Sequence, residues 1–407
     1  MSLKILATAD IHIGRRPSKV PEPRDAERFS CARMWEAIVD RAISDEVDLV
    51  ALVGDIVDHD NRFFEATGPL ERGLARLADR GIPTYAVAGN HDYDVLPRIA
   101  DTIGSEHFHL LGRGGRWEEA VLERGDGRRL RIHGWSFPAN HVSTSPLSDY
   151  RLALDGEVPT LGLLHADLNA PESNFAPVTV AELQSHPISF WLLGHVHAPQ
   201  LHQTGSGPDV LYPGSPQAMD PGETGRHGPW LIEIHGPHRA RATPLGMSKV
   251  RYDKLEVDLT GAGSQEEFQS RVSTSVGDHL SSMAAEQGPL ELVSLRLELA
   301  GRTALCGRIA GYTGSLQEQF ERTLQRVTAR VDTVADRTRP EIDLDALAEK
   351  SDPPGVLART LRQLELGQAD DDVKKLVDQA RQTMLRVHRA TSYRRIGDAP
   401  EPDREAA

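Results

Sequence analysis

Cysteine is almost absent from this 407-residue chain: Cys31 and Cys306 are the only two. They stand far apart and neither has a Cys-x-x-Cys partner, so no disulfide framework and no zinc–thiolate site is expected. No apolar run reaches the length that spans a membrane. The first residues, MSLKILATADIH, lack the apolar core and the cleavage site of a secretory signal and read as a first strand. The expectation is a cytoplasmic protein with no membrane attachment. Positive charge is also in deficit. With 46 Lys and Arg against 60 Asp and Glu, the net charge is -14. That excludes bulk electrostatic attraction to nucleic acid. It leaves room for a nucleic-acid enzyme, because bound divalent cations reverse the local field. Histidine, by contrast, is plentiful, with 17 in the chain.

Over residues 1–245, short apolar runs alternate with amphipathic stretches, as in a layered α/β fold. The runs are Leu3–Ala7, Leu49–Val53, Thr84–Ala88, Leu161–Leu164, Phe190–Leu193 and Val210–Tyr212. Trp191 within one of them reads as core. A second unit over 246–305 reads as strand–helix–strand: VRYDKLEVDL and LELVSLRLEL alternate, and Ser264 with Glu267 opens a helix as a capping box. Residues 306–407 read as helical. Leu316, Phe320, Leu324, Val327, Val331 and Val334 recur by threes and fours, SDPPG marks a break with a ready N-cap, and a further stripe runs from Val373 to Leu385.

Polar chemistry gathers where the apolar runs stop. The first ends in ATADIH, with Asp10 and His12; the second in GDIVD, with Asp55 and Asp58. The third ends in GNHD, with Asn90, His91 and Asp92; the fourth in HAD, with His165; the fifth in GHVH, with His195 and His197. In α/β sheets the C-terminal strand edge is where sites form. One His-x-His or Asp-x-His means little by itself. Five such strand ends concentrate carboxylates and imidazoles that need cations to coexist. Asp, His and Asn without thiolate suit Mn, Fe, Zn or Mg. A pair of such ions can neutralise a phosphodiester, activate water and stabilise the leaving oxygen.

DxH, GDxxD, GNHD, a separate His and GHxH, in this order, resemble the calcineurin-like metallophosphoesterase superfamily. The resemblance implies a four-layer α/β/β/α sandwich with two divalent metal ions. Asp10, His12, Asp55 and His197 would hold one ion. Asp55 would bridge to the other, held also by Asn90, His165 and His195. His91 would be the catalytic imidazole and Asp92 would orient it. The stretch VLYPGSPQAMDPGETGRHGPWLIEI is similar to the corresponding segment of SbcD/YhaO-like DNA repair exonucleases. In that family the unit at 246–305 would be a capping domain, and the helical tail would dock a coiled-coil SMC/ABC-type ATPase. The implied activity is Mn2+-dependent cleavage of DNA, and relatives often pair as homodimers. The position three residues after Asp55 carries histidine in archaeal and eukaryotic relatives; here it is Asp58. A small-molecule phosphodiesterase or phosphatase of the same superfamily is the rival reading.

Around these motifs, Arg15, Arg16, Lys19 and Arg24 form a basic loop. Arg15 and Arg16 are candidates for contact with substrate phosphates, and ion pairs within an acidic protein are the alternative. Phe63 and Phe64, beside Arg62, could stack on a base or bury against a helix. His59, His107, His109, His133, His141, His202 and His227 read as solvent-exposed.

Overall fold

The computed structural model describes residues 2–20, 27–58, 63–104, 106–153, 156–205, 207–283 and 288–389. Arg24, His59 and Arg62 lie outside the described residues, as do the side chains of Phe63 and Phe64. The chain divides into two compact units. The first comprises Met1–Leu259, Ser264–Ala300 and Arg308–Arg337; the second comprises Thr260–Gly263, Gly301–Gly307 and Thr338–Ala407.

In the first unit, β1 (Leu3–Thr8), β2 (Leu49–Val53), β3 (Thr84–Val87) and β4 (Phe108–Leu110) pair in parallel. Their crossovers carry α1 (Cys31–Ser44), α2 (Phe63–Ala78) and α3 (Leu96–Ile103). A second sheet contains β5 (Glu118–Glu123), β6 (Arg129–Trp135), β7 (Thr160–His165), β8 (Phe190–Gly194), β9 (Gln200–His202) and β10 (Asp209–Tyr212). Then β11 (Trp230–Gly236) and β12 (Arg239–Pro244) return to the first sheet, with β11 antiparallel to β1.

Side-chain alternation decides the layers. Leu3, Ile5 and Ala7 of β1 cluster with Leu130, Ile132, Leu161, Leu163, Phe190 and Leu192 of the second sheet. Leu6, Val50 and Leu52 turn the other way, onto Trp35 and Ile38 of α1 and Leu70 and Leu74 of α2. On the far face of the second sheet, Leu164, Trp191 and Leu193 are covered by Leu183 of the short α4 (Val180–Gln184) and by Leu147 and Tyr150. Strands buried on both faces read as unbroken apolar runs. The result is the expected α/β/β/α sandwich, with a thin fourth layer made mostly of loops.

A third sheet follows in the same unit. Here β13 (Val250–Asp258) leads through α5 (Gln265–Met283) to β14 (Leu292–Ala300), its parallel neighbour. The capping box forms: Glu267 N donates to Ser264 Oγ at 3.2 Å and Ser264 N to Glu267 Oε2 at 3.3 Å. Phe268, Val272 and Val276 are buried along one face of α5.

The helical reading of the next stretch fails past residue 319. After β15 (Arg302–Thr303) and α6 (Ala310–Gln319), the chain makes a hairpin of β16 (Glu321–Leu324) and β17 (Val327–Asp336). Ala329 and Val331 are buried while Arg330 between them is exposed, a period of two hidden inside spacings of three and four. Strand β17 pairs in parallel with β14 and covers its free edge. The third sheet therefore extends to Asp336, well past the expected boundary at 305.

In the second unit, β15 pairs with β18 (Arg339–Pro340), followed by α7 (Leu344–Ala348), α8 (Pro353–Glu365) and α9 (Asp371–Arg389). Asp352 caps α8, its Oδ1 accepting from Gly355 N at 3.0 Å. Leu357, Leu361 and Leu364 of α8 and Leu376 and Met384 of α9 are exposed. Among the described residues, no helix is long and apolar enough to cross a membrane.

Close packing between layers yields a testable outcome. A Cβ on Gly162 of β7 would lie 2.2 Å from Trp191 Cε3, and the Trp191 indole N–H is fixed to Leu183 O at 3.1 Å. Gly162→Val should lower the unfolding free energy by about 1–3 kcal/mol in urea titrations, as overpacking does.

Candidate metal centre

Strands β1, β2, β3, β7 and β8 deliver their C-terminal residues to one edge of the sandwich. Four of those residues adopt left-handed backbone: Asp10 (φ 51), His12 (φ 50), Asp55 (φ 50) and His195 (φ 101). For non-glycine residues this costs about 1–3 kcal/mol each and persists only where the surroundings overdetermine it. Here the loops after β1 and β2 are laced together: Asp10 N donates to Gly54 O at 3.0 Å, His12 N to Asp55 O at 3.0 Å and Ile13 N to Ile56 O at 2.8 Å. Glycines make the convergence possible. A Cβ on Gly54 would stand 2.3 Å from His165 Nδ1, and one on Gly89 2.2 Å from Asp55 Oδ1.

Within this frame, acceptor atoms face one another. His12 Nδ1 lies 3.2 Å from Asp58 Oδ1, and His197 Nδ1 lies 2.8 Å from Glu223 Oε1. An ionised carboxylate only accepts, so each Nδ1 keeps its proton and each ring turns its Nε2 inward. The two Nε2 atoms meet at 3.2 Å, with an Asp10 carboxylate oxygen within 4.8 Å of both sites. His165 repeats the pattern. Its Nδ1 is tied to Val53 O at 3.0 Å, and its Nε2 faces Asp55 Oδ2 at 3.3 Å and Asn90 Oδ1 at 3.1 Å. Converging lone pairs repel unless something positive lies among them. Two divalent cations of the oxygen- and imidazole-binding class fit this donor set. His195 stands beside it, its ring edge-on to that of His165 at 5.4 Å, its Nε2 3.7 Å from Asp167 Oδ2 and its backbone N–H donating to Asp10 Oδ1 at 3.1 Å.

The protonation pattern agrees. Burial opposes charge on His165, but the adjoining Asp55 carboxylate outweighs it and lifts the imidazole to about 9. Burial pushes Asp55 up, yet His165 prevails and holds it well below the usual carboxylate range. Asp10 is pushed up by its complete burial. His195 is driven down to about 4 by burial and by the nearby His165 charge. A proton on His165 thus substitutes for a cation.

All seven expected ligands, Asp10, His12, Asp55, Asn90, His165, His195 and His197, come together at this edge. His91 joins them at the mouth, with its side chain 39% exposed and its ring 5.0 Å from that of His12. The role expected for Asp92 needs correction. Its Oδ1 accepts from Gly89 N at 2.7 Å, and its Oδ2 from Ile56 N at 2.7 Å and Val57 N at 3.3 Å. Asp92 is a fully buried brace between two ligand loops. The carboxylate beside His91 is Asp58, whose Oδ1 lies 3.9 Å from His91 Nδ1. Neighbouring residues in the GNHD turn point opposite ways, which sequence adjacency conceals.

Arg15 and Arg16 both form internal ion pairs, Arg15 with Asp220 at 3.2 Å and Arg16 with Glu27 at 2.7 Å. Burial pushes the Asp58 carboxyl up, but its hydrogen bond to His12, aided by the nearby Arg15 charge, holds it below its ordinary value. Glu223 escaped the sequence reading; in the stretch VLYPGSPQAMDPGETGRHGPWLIEI it is one of three acidic residues, with Asp220 and Glu233, and nothing in their spacing singles it out. His133 and His227 are buried, against expectation. His133 bonds Tyr150 Oη at 2.6 Å and Glu119 Oε2 at 2.9 Å, while His227 Nδ1 lies 2.7 Å from Ser215 O.

Cation uptake should therefore expel a proton. Below about 9 the His165 ring is protonated, so apparent Mn2+ affinity should rise about tenfold per pH unit toward that value. Calorimetry in buffers of differing ionisation enthalpy should detect about one proton released near pH 7. A pH-independent affinity would contradict this assignment.

Residues 3–199 match the family described as calcineurin-like phosphoesterase. The chain is 28% identical over 330 residues to the uncharacterized metallophosphoesterase YhaO of Bacillus subtilis, covering 78% of each. It is 25% identical to the DNA double-strand break repair protein Mre11 of Aeropyrum pernix, over 64% of this chain and 65% of that one. With Mre11 of Methanopyrus kandleri the identity is 23%, over 66% and 62%. The chain thus spans under two thirds of those two Mre11 proteins. A dimetal phosphatase from Danio rerio aligns in three dimensions with a TM-score of 0.38 and 14% identity, over 59% of this chain and 98% of that one. The strand ends that carry the centre thus belong to a calcineurin-like metallophosphoesterase domain, the family match spanning residues 3–199 of this chain.

Proposed function

We propose that the protein is a nuclease that hydrolyses DNA phosphodiester bonds. The observation that carries phosphoester hydrolysis is the double set of facing acceptors, which calls for two cations beside the exposed His91 imidazole. DNA as substrate is supported by similarity to the Mre11 proteins. It is also supported by the third sheet, which is joined to the loop after His12 through a Lys19–Asp332 ion pair at 3.4 Å. A small ester needs no such added platform.

When bound, the cations would neutralise the phosphate and lower the pKa of water; Mn2+ is the metal we favour. Asp10, His12 and His197 would hold one, Asn90, His165 and His195 the other, with Asp55 between them. His91 stands where it can touch the phosphate. The water oxygen forms a bond to phosphorus, the ester P–O bond breaks, and His91 gives its proton to the leaving oxygen while the water's proton passes to solvent. Burial drives the His91 imidazole below its ordinary value, and the Asp55 and Asp58 carboxylates oppose that shift, which favours the charged ring that donates. The apolar stripe Leu357, Leu361 and Leu364 on α8 suits the coiled-coil segment of an SMC-like ATPase, which would place the protein in DNA repair.

Labelled duplex and single-stranded DNA, tested against bis-p-nitrophenyl phosphate and cyclic nucleotides across Mn2+, Mg2+, Zn2+ and Fe2+, separates the readings. DNA cleavage is expected; hydrolysis of small esters alone would move the assignment to a small-molecule phosphodiesterase. His91→Ala should retain cation binding by calorimetry while cleavage falls at least about a hundredfold, the scale of a lost general acid. Leu361→Asp should abolish co-elution with the ATPase coiled coil, and co-elution unchanged would discard the tail as its dock.

A further inference from the structure

We propose that Glu223 is a positioning residue for His197, and that the third sheet fixes Glu223 through Tyr252. This rests on the two-cation reading of the site.

The Glu223 carboxylate is fully committed. Oε1 accepts from His197 Nδ1 at 2.8 Å, while Oε2 accepts from Ser215 Oγ at 2.8 Å and from Met219 N at 2.8 Å. Its side chain is 11% exposed. A carboxylate so placed sets both the tautomer and the rotation of the imidazole, and so aims Nε2. The loop that carries it is pinned on two sides. On the His197 side, Ser215 N donates to His197 O at 3.0 Å, and Gly214 (φ +74) passes so close that a Cβ would stand 2.5 Å from the same oxygen.

On the other side stands β13. Gly225 N donates to Tyr252 O at 3.1 Å, and the Tyr252 hydroxyl donates to Met219 O at 3.3 Å and to Ser18 O. Ser18 N in turn donates to Met219 O at 2.7 Å, which draws in the chain that leaves His12. Tyr252 is buried in one apolar cluster with Phe29, Ala218, Val250 and Leu292. The ring of His197 is therefore aimed by a carboxylate whose own position depends on a strand outside the sandwich. His165 has no such dependence, because its Nδ1 is held by a carbonyl of β2.

Calorimetric titration of metal-free, full-length protein with Mn2+ tests this, alongside melting temperatures in EDTA. Wild type should bind two ions. Glu223→Ala should weaken one of the two sites about 10–100-fold, the range for loss of a ligand's hydrogen-bonded partner, and spare the other. Glu223→Gln, which retains an acceptor, should fall between. Tyr252→Phe, which touches neither a ligand nor Glu223, should weaken the same site by a smaller factor. The melting temperature of the metal-free variants should stay near wild type. Equal loss at both sites, or no loss in Glu223→Ala, overturns the positioning role. An unaltered Tyr252→Phe overturns the link to the third sheet. Wild type that takes up no Mn2+ removes the two-cation reading, and this proposal with it.

Discussion

His12 and His197 bring their Nε2 atoms to 3.2 Å, a contact that calls for a cation or a proton between the two nitrogens. Each has its far nitrogen engaged by a carboxylate, Asp58 or Glu223, so neither ring can turn away without breaking a short contact. The sandwich serves this confrontation. Its parallel strands end together, its glycines at 54, 89 and 194 let the loops close in, and its ligand residues accept left-handed backbone to aim inward. Strain and lone-pair repulsion are concentrated at one edge while the strands behind it bury unbroken apolar faces.

The same edge shows how burial and charge divide the labour among chemically similar groups. Asp10, Asp55 and Asp92 are all buried aspartates, yet their partners differ. Asp55 meets His165, Asp10 accepts from the His195 backbone, and Asp92 collects three amides. Among the imidazoles, the burial that drives His195 down is overcome at His165 by the neighbouring Asp55 charge. His91, partly exposed and beside Asp58, is the imidazole positioned to exchange protons with something entering from outside.

Much of this was legible in the sequence, and for physical reasons. Strands covered on both faces must be apolar throughout, so LVALV and FWLLG announce themselves, and charged groups at their ends have few reasons to be there except chemistry. What stayed hidden were contacts between residues remote in sequence or turned away within one tight turn. Asp92 follows His91 directly but points back into the loops, while Asp58, 33 residues earlier, stands beside it. Glu223 reaches His197 across 26 residues with no periodicity to mark it. The hairpin at 321–336 is masked because Val327, Val331 and Val334, spaced by four and three within a strand, also match a helical stripe. Pairing with β14 decided between them.

The first sheet has a temporal consequence. Its strand order is β12-β11-β1-β2-β3-β4, so the earliest-made strand of this sheet lies beside one made more than two hundred residues later. Until Trp230–Gly236 emerges, β1 has an open flank with unpaired amides and carbonyls. Such long-range closure slows folding and leaves an adhesive edge on the nascent chain. Asp10 and His12 are thus made before the sheet that holds them can close, and the flank beside them stays exposed until the last strands of the sandwich arrive.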